Sequence, residues 1–302
     1  MEPFEIYLSR SHAYFLGFTR RPEETPFTLI GAPLDTTSSY RPGTRFAPFK
    51  IRQVSQSLES YSLIAHVDVE DFGFHDAGDV ALAQGDVEGG LRAIEEVMRG
   101  LLRKDRIVFM LGGEHTVTLS GVKALAGRGR RVALLVFDAH ADLRDTYLGM
   151  RLCHATVIRR AAEVVGADNV LLIGTRAVSQ EELEFMRREG IFYITSFDID
   201  RVGVREAAYR VVKRLEGYDE VYLSIDMDVV DPGYAPGVTT PEPFGLHPMQ
   251  LLRILEKVAD ENIRAVDVVE LCPPCDCGEA TAFLAARLVL ELAALLYRFY
   301  EK

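Results

Sequence analysis

The segment VFDAHADLRD, residues 136–145, sets Asp138, His140 and Asp142 at every second position, directly after an apolar run. On an extended chain successive side chains point to opposite sides, so this spacing predicts that all three aim one way. Two further apolar runs end in the same kinds of group: SIDMD brings Asp226 and Asp228, and GGEHT brings His115. A single aspartate after a strand is ordinarily a helix cap or turn former, and a single histidine is ordinarily a hydrogen-bonded polar group. Three such clusters on three strand ends are not independent accidents. Gathering Asp138, Asp142, Asp226 and Asp228 without compensation would be costly, because like charges repel and buried ions lose hydration. Two divalent cations would balance the four carboxylates. The donors are oxygen-rich, with two imidazoles and no thiolate, which points to manganese over structural zinc.

Such groups need a scaffold that brings strand ends together. The runs FTLIGA (27–32), RIVFML (106–111), VALLVFD (132–138), VLLIG (170–174), FYITS (192–196), VYLSID (221–226) and AVDVVE (265–270) are rich in β-branched and apolar residues. They read as buried parallel strands. The segment IAHVDVED suggests one more, at an edge. Between them, residues 87–103 repeat apolar positions every three or four, Ser179 followed by Glu182 reads as a capping box, Pro248 suits a first helical turn, and 279–300 read as a long apolar C-terminal helix. The pattern predicts an α/β fold in three α/β/α layers around a central, mainly parallel sheet of about eight strands, with residues 1–302 forming one unit. In such sheets ligands bind at the carboxyl ends of the strands.

The chain has 302 residues and a net charge of −11. That charge argues against nucleic-acid binding, which needs a basic footprint, and suits a small cationic substrate. No apolar run reaches the roughly 18 residues of a membrane span, and MEPFEIYLSR carries acids where a signal peptide carries bases, so the expected location is cytoplasmic. Of the four cysteines, three fall in CPPCDC (Cys272, Cys275, Cys277), which speaks against a pairwise disulfide framework. Only two asparagines occur in the chain, a depletion in the thermophile direction, although the usual lysine enrichment is missing.

GGEHT, FDAHADLRD and SIDMDVVDP resemble, in order and spacing, the three signatures of the ureohydrolase family of arginases, agmatinases and relatives. RPGTRFAP, PGVTTPEP and DVVEL extend the resemblance over most of the chain. It implies a binuclear site with two Mn2+ per chain. His115, Asp138, Asp142 and Asp226 would hold one ion, and His140, Asp138, Asp226 and Asp228 the other, with Asp138 and Asp226 bridging. A hydroxide between the ions would attack a guanidinium carbon and release urea and an amine. His154, in LCHAT, matches the family histidine that moves protons. Glu270 matches the glutamate that grips the guanidinium. Asp142, His154 and Glu270 are therefore the expected catalytic set.

The loop HADLRDTYLGMRLCHAT resembles that of prokaryotic, especially archaeal, agmatinases. Arg144 stands where arginases carry an asparagine for the amino acid head group, and IGTRAVSQEE lacks their acidic group after the IG-R strand. The resemblance thus implies hydrolysis of agmatine to putrescine and urea, with Glu242 or Asp145 receiving the free amine beside His154 and Glu270. Arginine, guanidinobutyrate or another guanidino compound is the alternative substrate, and a catalytically silent metal-binding scaffold or a one-zinc deacetylase on a related scaffold are others. The family's habit implies a homo-oligomer, trimer or hexamer. Cys272 replaces the asparagine that commonly follows the family's DVVE. CPPCDC could bind a metal or form a redox-sensitive disulfide, although packing as small hydrophobes is the default for cysteine.

Overall fold

The computed structural model describes residues 2–102 and 106–300. Strands are β1 (Leu8–Ser9), β2 (Phe27–Ala32), β3 (Tyr61–Ser62), β4 (Val67–Asp68), β5 (His75–Val80), β6 (Ile107–Gly112), β7 (Val132–Phe137), β8 (Val170–Thr175), β9 (Phe192–Thr195), β10 (Glu220–Asp226) and β11 (Ile263–Val269). The α-helices are α1 (Ala47–Ser55), α2 (Val69–Phe72), α3 (Val87–Leu102), α4 (Thr118–Ala126), α5 (Val157–Val165), α6 (Gln180–Glu189), α7 (Ser196–Val202), α8 (Val204–Leu215), α9 (Pro248–Val258) and α10 (Ala280–Tyr297). Arg103, the last residue of the helix expected over 87–103, lies outside the described residues.

One nine-stranded sheet runs in the order β1-β5-β2-β6-β11-β10-β7-β8-β9, parallel throughout except for β1 against β5. Its central strands are buried at every position, which is why they read as unbroken apolar runs. Alternate residues feed two cores. Phe109, Leu135 and Leu223 meet α1, α2 and α7 to α10 on one face, and Met110, Leu134 and Tyr222 meet α3 to α6 on the other. Three layers result. The Ser179–Glu182 capping box opens α6, and Pro248 stands at the first turn of α9.

Two expectations need correction. IAHVDVED is not a sheet edge: its Val67–Asp68 pairs only with Tyr61–Ser62 in a small separate hairpin, and Asp68 then caps α2. The added strands are β5 and β1. β5 (HDAGDV) alternates buried and half-buried residues and carries too much charge to signal a strand. Arg52, on α1 and fully buried, explains that charge. Its guanidinium forks onto Asp76 at 2.7 and 2.8 Å and reaches Asp79 at 2.6 Å. The second correction concerns length and hydropathy. The helical stretch Cys277–Tyr297 is long and apolar enough to cross a membrane by those criteria, yet 72% of its apolar window is buried against the protein's own layers. Glu291, near its middle, accepts from Ser62 and Arg287.

Removing one partner of a buried ion pair leaves an uncompensated charge, which costs roughly 3–5 kcal/mol. Arg52→Ala is accordingly expected to lower the unfolding free energy measured by urea denaturation by that amount, with a lower midpoint; a midpoint equal to wild type would show the pair to be idle.

Candidate active site

The strands β6, β11, β10 and β7 are neighbours at the centre of the sheet. The chain leaves β6 and returns in β7, with two strands between them, so a crevice opens at the carboxyl ends. Into it run His115 after β6, Glu270 after β11, Asp226 and Asp228 at the end of β10, and Asp138, His140 and Asp142 after β7.

His115 is buried, and its Nδ1 lies 3.0 Å from Asp138 Oδ2, 3.1 Å from Asp142 Oδ2 and 3.4 Å from Asp226 Oδ2. One nitrogen carries at most one proton and cannot serve three carboxylates. Its other nitrogen, Nε2, is 3.1 Å from Ser224 Oγ, and the Ser224 hydroxyl donates to Asp267 Oδ1 at 2.6 Å. Ser224 must therefore accept from Nε2–H. In the neutral ring this leaves the Nδ1 lone pair facing three anionic oxygens, an arrangement that calls for a cation. Asp267 is itself fixed by the hydroxyls of Tyr222 and Thr118, at 2.7 and 2.8 Å.

A second donor group adjoins the first. His140 Nδ1 lies 2.9 Å from Asp228 Oδ2 and 3.6 Å from Asp138 Oδ1. Asp138 thus gives one oxygen to each group. Backbone amides aim the acids: His140 N donates to Asp138, Ala139 N to Asp228 and Asp228 N to Asp226. The extended alternation expected for 138–142 breaks at Asp142, whose φ is +51°, yet the turn still delivers its carboxylate to His115. The structure brings together all six residues expected to bind metal.

His140, Asp142, Asp226 and Asp228 line a cavity of about 430 Å³. Glu270 stands on its wall with φ +62°, a left-handed conformation that a non-glycine residue adopts at a cost. Its oxygens accept from His115 N and Thr239 Oγ1, each at 2.6 Å. His154 also lines the cavity, with Nε2 3.3 Å from Ser39 Oγ. The sequence reading missed what holds His154. Buried Glu114 accepts from Thr36 N, Thr37 N, Thr37 Oγ1 and Thr116 Oγ1, at 2.6–2.7 Å, and His154 N donates to Thr37. Only the position of Glu114 inside GGEHT could have signalled it. Ser224 and Asp267 were equally invisible, being polar residues inside strands that read as apolar.

Of the two acids expected at the substrate amine, Glu242 lines the cavity and Asp145 does not. Asp145 is taken by Arg160, 2.7 Å away on α5, which holds its carboxyl below the ordinary range. Arg144 lines the wall and stands 3.9 Å from Glu182. Among the described residues, the groups spaced to share an ion are the His115 and His140 sets; the CPPCDC thiols form no such group, and all four cysteines are free.

Burial and the charges of Asp228, Asp138 and Glu270 push Asp226 well above the usual carboxylate range. Burial raises Glu270 to about 8. Burial opposes charge on His140, but Asp228 and Asp138 outweigh it and raise the ring to about 12. Without cations the cluster therefore collects protons. Divalent cations fit the same places: Asp138 Oδ2 is buried without a hydrogen bond, and donor spacings of 3.0–3.4 Å match. Ligands about 2.1 Å from an octahedral ion stand roughly 3 Å apart. The sign of the pH dependence follows. Glu270 in the folded, metal-stripped protein keeps a proton that the unfolded chain releases at its ordinary value of 4.5, so its contribution falls from there to about 8. His140 contributes fully below 6.5 and loses that contribution as pH rises towards about 12. The melting temperature of metal-stripped protein is therefore expected to fall between about pH 5 and about pH 9, with added divalent metal restoring most at the alkaline end. Scanning calorimetry checks this, and a rise with pH in stripped protein would contradict the proton-filled cluster.

Comparison with known proteins agrees with this geometry. A model of the arginase family matches residues 25–294. The agmatinase of Bacillus subtilis is 39% identical over 272 residues, covering 89% of this chain and 91% of that protein. The crystal structure of agmatine ureohydrolase of Thermoplasma volcanium superposes with a TM-score of 0.86 at 37% identity, covering 93% of each chain. Proclavaminate amidinohydrolase from Streptomyces clavuligerus superposes with a TM-score of 0.88 at 30% identity, covering 97% of this chain and 98% of that one. The family depends on a binuclear metal centre, and the two His/Asp groups are of the kind that could form one. From the match over nearly its whole length and from the likeness of its fold, the chain belongs to the arginase family and is a ureohydrolase.

Proposed function

We propose that this enzyme hydrolyses agmatine to putrescine and urea, using two manganese ions per chain. The observation that carries the reading is the convergence of three carboxylate oxygens on His115 Nδ1 beneath a cavity walled by Glu270. The likeness to agmatinases supports the choice of substrate. His115, Asp138, Asp142 and Asp226 would hold one cation, and His140, Asp138, Asp226 and Asp228 the other. When bound, such a pair supplies an acidified water as nucleophile near neutral pH.

The chain's own groups do the rest. Glu270 binds the guanidinium: each of its oxygens keeps a lone pair beyond its one hydrogen bond, and a planar cation pairs well with a carboxylate. The substrate cation also holds Glu270 ionised, against the burial that otherwise raises it. That pairing orients the reacting carbon over the metal-ligand cluster. His154, beside Ser39 on the cavity wall, delivers a proton to the departing amine. Glu242 receives the far ammonium of agmatine. The reading extends to a cytoplasmic homo-oligomer, trimeric or hexameric, whose mass sedimentation would measure.

A second reading has its own observation. Arg144 on the cavity wall suits a substrate ending in a carboxylate, such as guanidinobutyrate, better than one ending in an amine. Urea release by manganese-loaded protein separates the two, with agmatine, arginine and guanidinobutyrate assayed in parallel. Agmatine is expected to give a kcat/KM at least about 100-fold above either acid, since a misplaced charge at a partly buried contact costs several kcal/mol. Preference for guanidinobutyrate would favour the second reading, and metal binding with no urea from any of them would leave a silent scaffold.

Asp226→Ala removes a carboxylate shared by the cluster and is expected to lose metal and turnover together, activity falling by at least about 1,000-fold. Metal analysis alongside the urea assay checks this. Turnover kept with full metal content would sink the assignment of Asp226.

A further inference from the structure

The CPPC turn plays no part in the reaction as described, yet its sulfurs are arranged for chemistry. Cys272 Sγ and Cys275 Sγ lie 2.8 Å apart, both as free thiols. A disulfide needs its sulfurs at about 2.05 Å, so closure requires a movement of less than roughly 1 Å. The backbone already holds the turn. Cys275 N donates to Cys272 O at 2.8 Å across the short helix Pro273–Cys275, and the two prolines fix φ at the residues between. Both flanks are pinned as well: Cys272 N donates to Gly237 O, and Asp276 accepts from Thr281 N and Ala282 N at the start of α10.

The two thiols differ in a way that assigns their order of reaction. Cys275 is partly exposed, and it lies beside the Arg41 guanidinium, which is held by Tyr40 and Cys275. That exposure makes Cys275 the sulfur that a reagent from solvent meets first. Cys272 is fully buried, packed against Pro42 and so close to Gly43 that a Cβ there would stand 2.9 Å from its sulfur. Burial, with Cys275 beside it, pushes the Cys272 thiol up to about 12, so it keeps its proton until a partner draws it out. Cys277 is exposed and outside the pair, and Cys153 is buried elsewhere.

We propose that Cys272 and Cys275 form a thiol–disulfide exchange site whose co-reactant is a small-molecule disulfide such as oxidised glutathione. The Cys275 thiolate attacks one sulfur of the small disulfide, giving a mixed disulfide and one small thiolate. Cys272 then loses its proton to solvent and attacks Cys275 Sγ, forming the Cys272–Cys275 bond and expelling the second small thiolate. Both small thiolates take up protons. The protein dithiol gives up two electrons and two protons, and the small disulfide leaves as two thiols. The site lies two residues beyond Glu270 and against Pro42 and Gly43, in the loop that carries Ser39, apart from the residues of the metal-ligand cluster. It is independent of the substrate assigned to the enzyme.

The experiment uses the full-length reduced protein and its Cys277→Ser variant, which removes the exposed thiol. Each is incubated with oxidised glutathione, then alkylated in denaturant and mapped by mass spectrometry. The expected result in both is a loss of about two daltons before alkylation, with a peptide carrying the Cys272–Cys275 bond and no glutathione on Cys275. Adding Cys272→Ser to the Cys277→Ser variant is expected to trap the glutathione adduct on Cys275, and dithiothreitol is expected to release it. A stable adduct on Cys275 with Cys272 intact, a Cys275–Cys277 bond in the wild type, or full alkylation of both Cys272 and Cys275 after treatment would each overturn the proposal. The wild-type mapping does not depend on any variant folding.

Discussion

The structure turns on one buried imidazole nitrogen that faces three carboxylates. Two like charges about 4 Å apart repel by about 4 kcal/mol at a protein-like dielectric, and desolvation adds to that cost. The protein side offsets only part of it. The hydroxyls of Ser224, Thr118 and Tyr222 and the amides of Ala139, His140 and Asp228 orient the acids but carry no positive charge. Arg176, on the cavity wall, acts on Asp228 and Asp138 through its charge, but it spends its donors on the backbone carbonyls of Gly174, Asp228, Val229, Glu242 and Pro243 and none on the acids' side chains. What is left to balance the cluster is protons or divalent cations, and the two compete for the same lone pairs.

The sheet exists in the form it does because that cluster must be both dense and rigid. Parallel strands place their carboxyl ends on one edge, and the order β6-β11-β10-β7 sets four of them side by side. Apolar packing on both faces keeps the strand ends in register, with Asp226 beside Val269 and Ile225 beside Phe137. Positions that a regular strand could not reach are reached by strain. Asp142 and Glu270 both adopt left-handed backbone, and each is tied at the turn: Ile158 N and Arg159 N donate to Asp142 O, and Glu270 N donates to Gly113 O. Strained residues persist where their surroundings over-determine them, as the packed ends of β7 and β11 do.

Much of this was legible in the sequence because one physical rule governs both pattern and place. A fully buried parallel strand is apolar at every position, so its end is visible where charge begins, and that boundary is where a ligand site lies. His115, Asp138, His140, Asp226 and Asp228 stood out for that reason. Residues whose polarity is satisfied inside the strands gave no such edge: Asp267 sits within AVDVVE and Ser224 within VYLSID, and the pattern averages them away. Strand β5 stayed hidden because its acids answer Arg52, more than 20 residues earlier on α1. Asp145 was misjudged for a related reason. It follows the ligand segment closely, but its partner Arg160 comes a helix later, and no local spacing connects the two.

At the outer end of the cavity the geometry weighs charges by their exposure. Arg144 lines the cavity, but its side chain is 37% exposed and Glu182 stands 3.9 Å away, so water and that acid screen it. Arg176 remains charged, yet its donors are consumed in pinning the Glu242–Pro243 backbone to the end of β10, which fixes the Glu242 side chain at the cavity. An arginine thus serves to present an acid. Glu242 at the cavity and Glu182 beside a screened Arg144 thus offer two acids to a cationic ligand end, while the Arg176 donors face backbone carbonyls. The preference proposed for agmatine therefore rests on the screening of Arg144 by water and Glu182, and not on any group that a carboxylate-ended substrate would find closed to it.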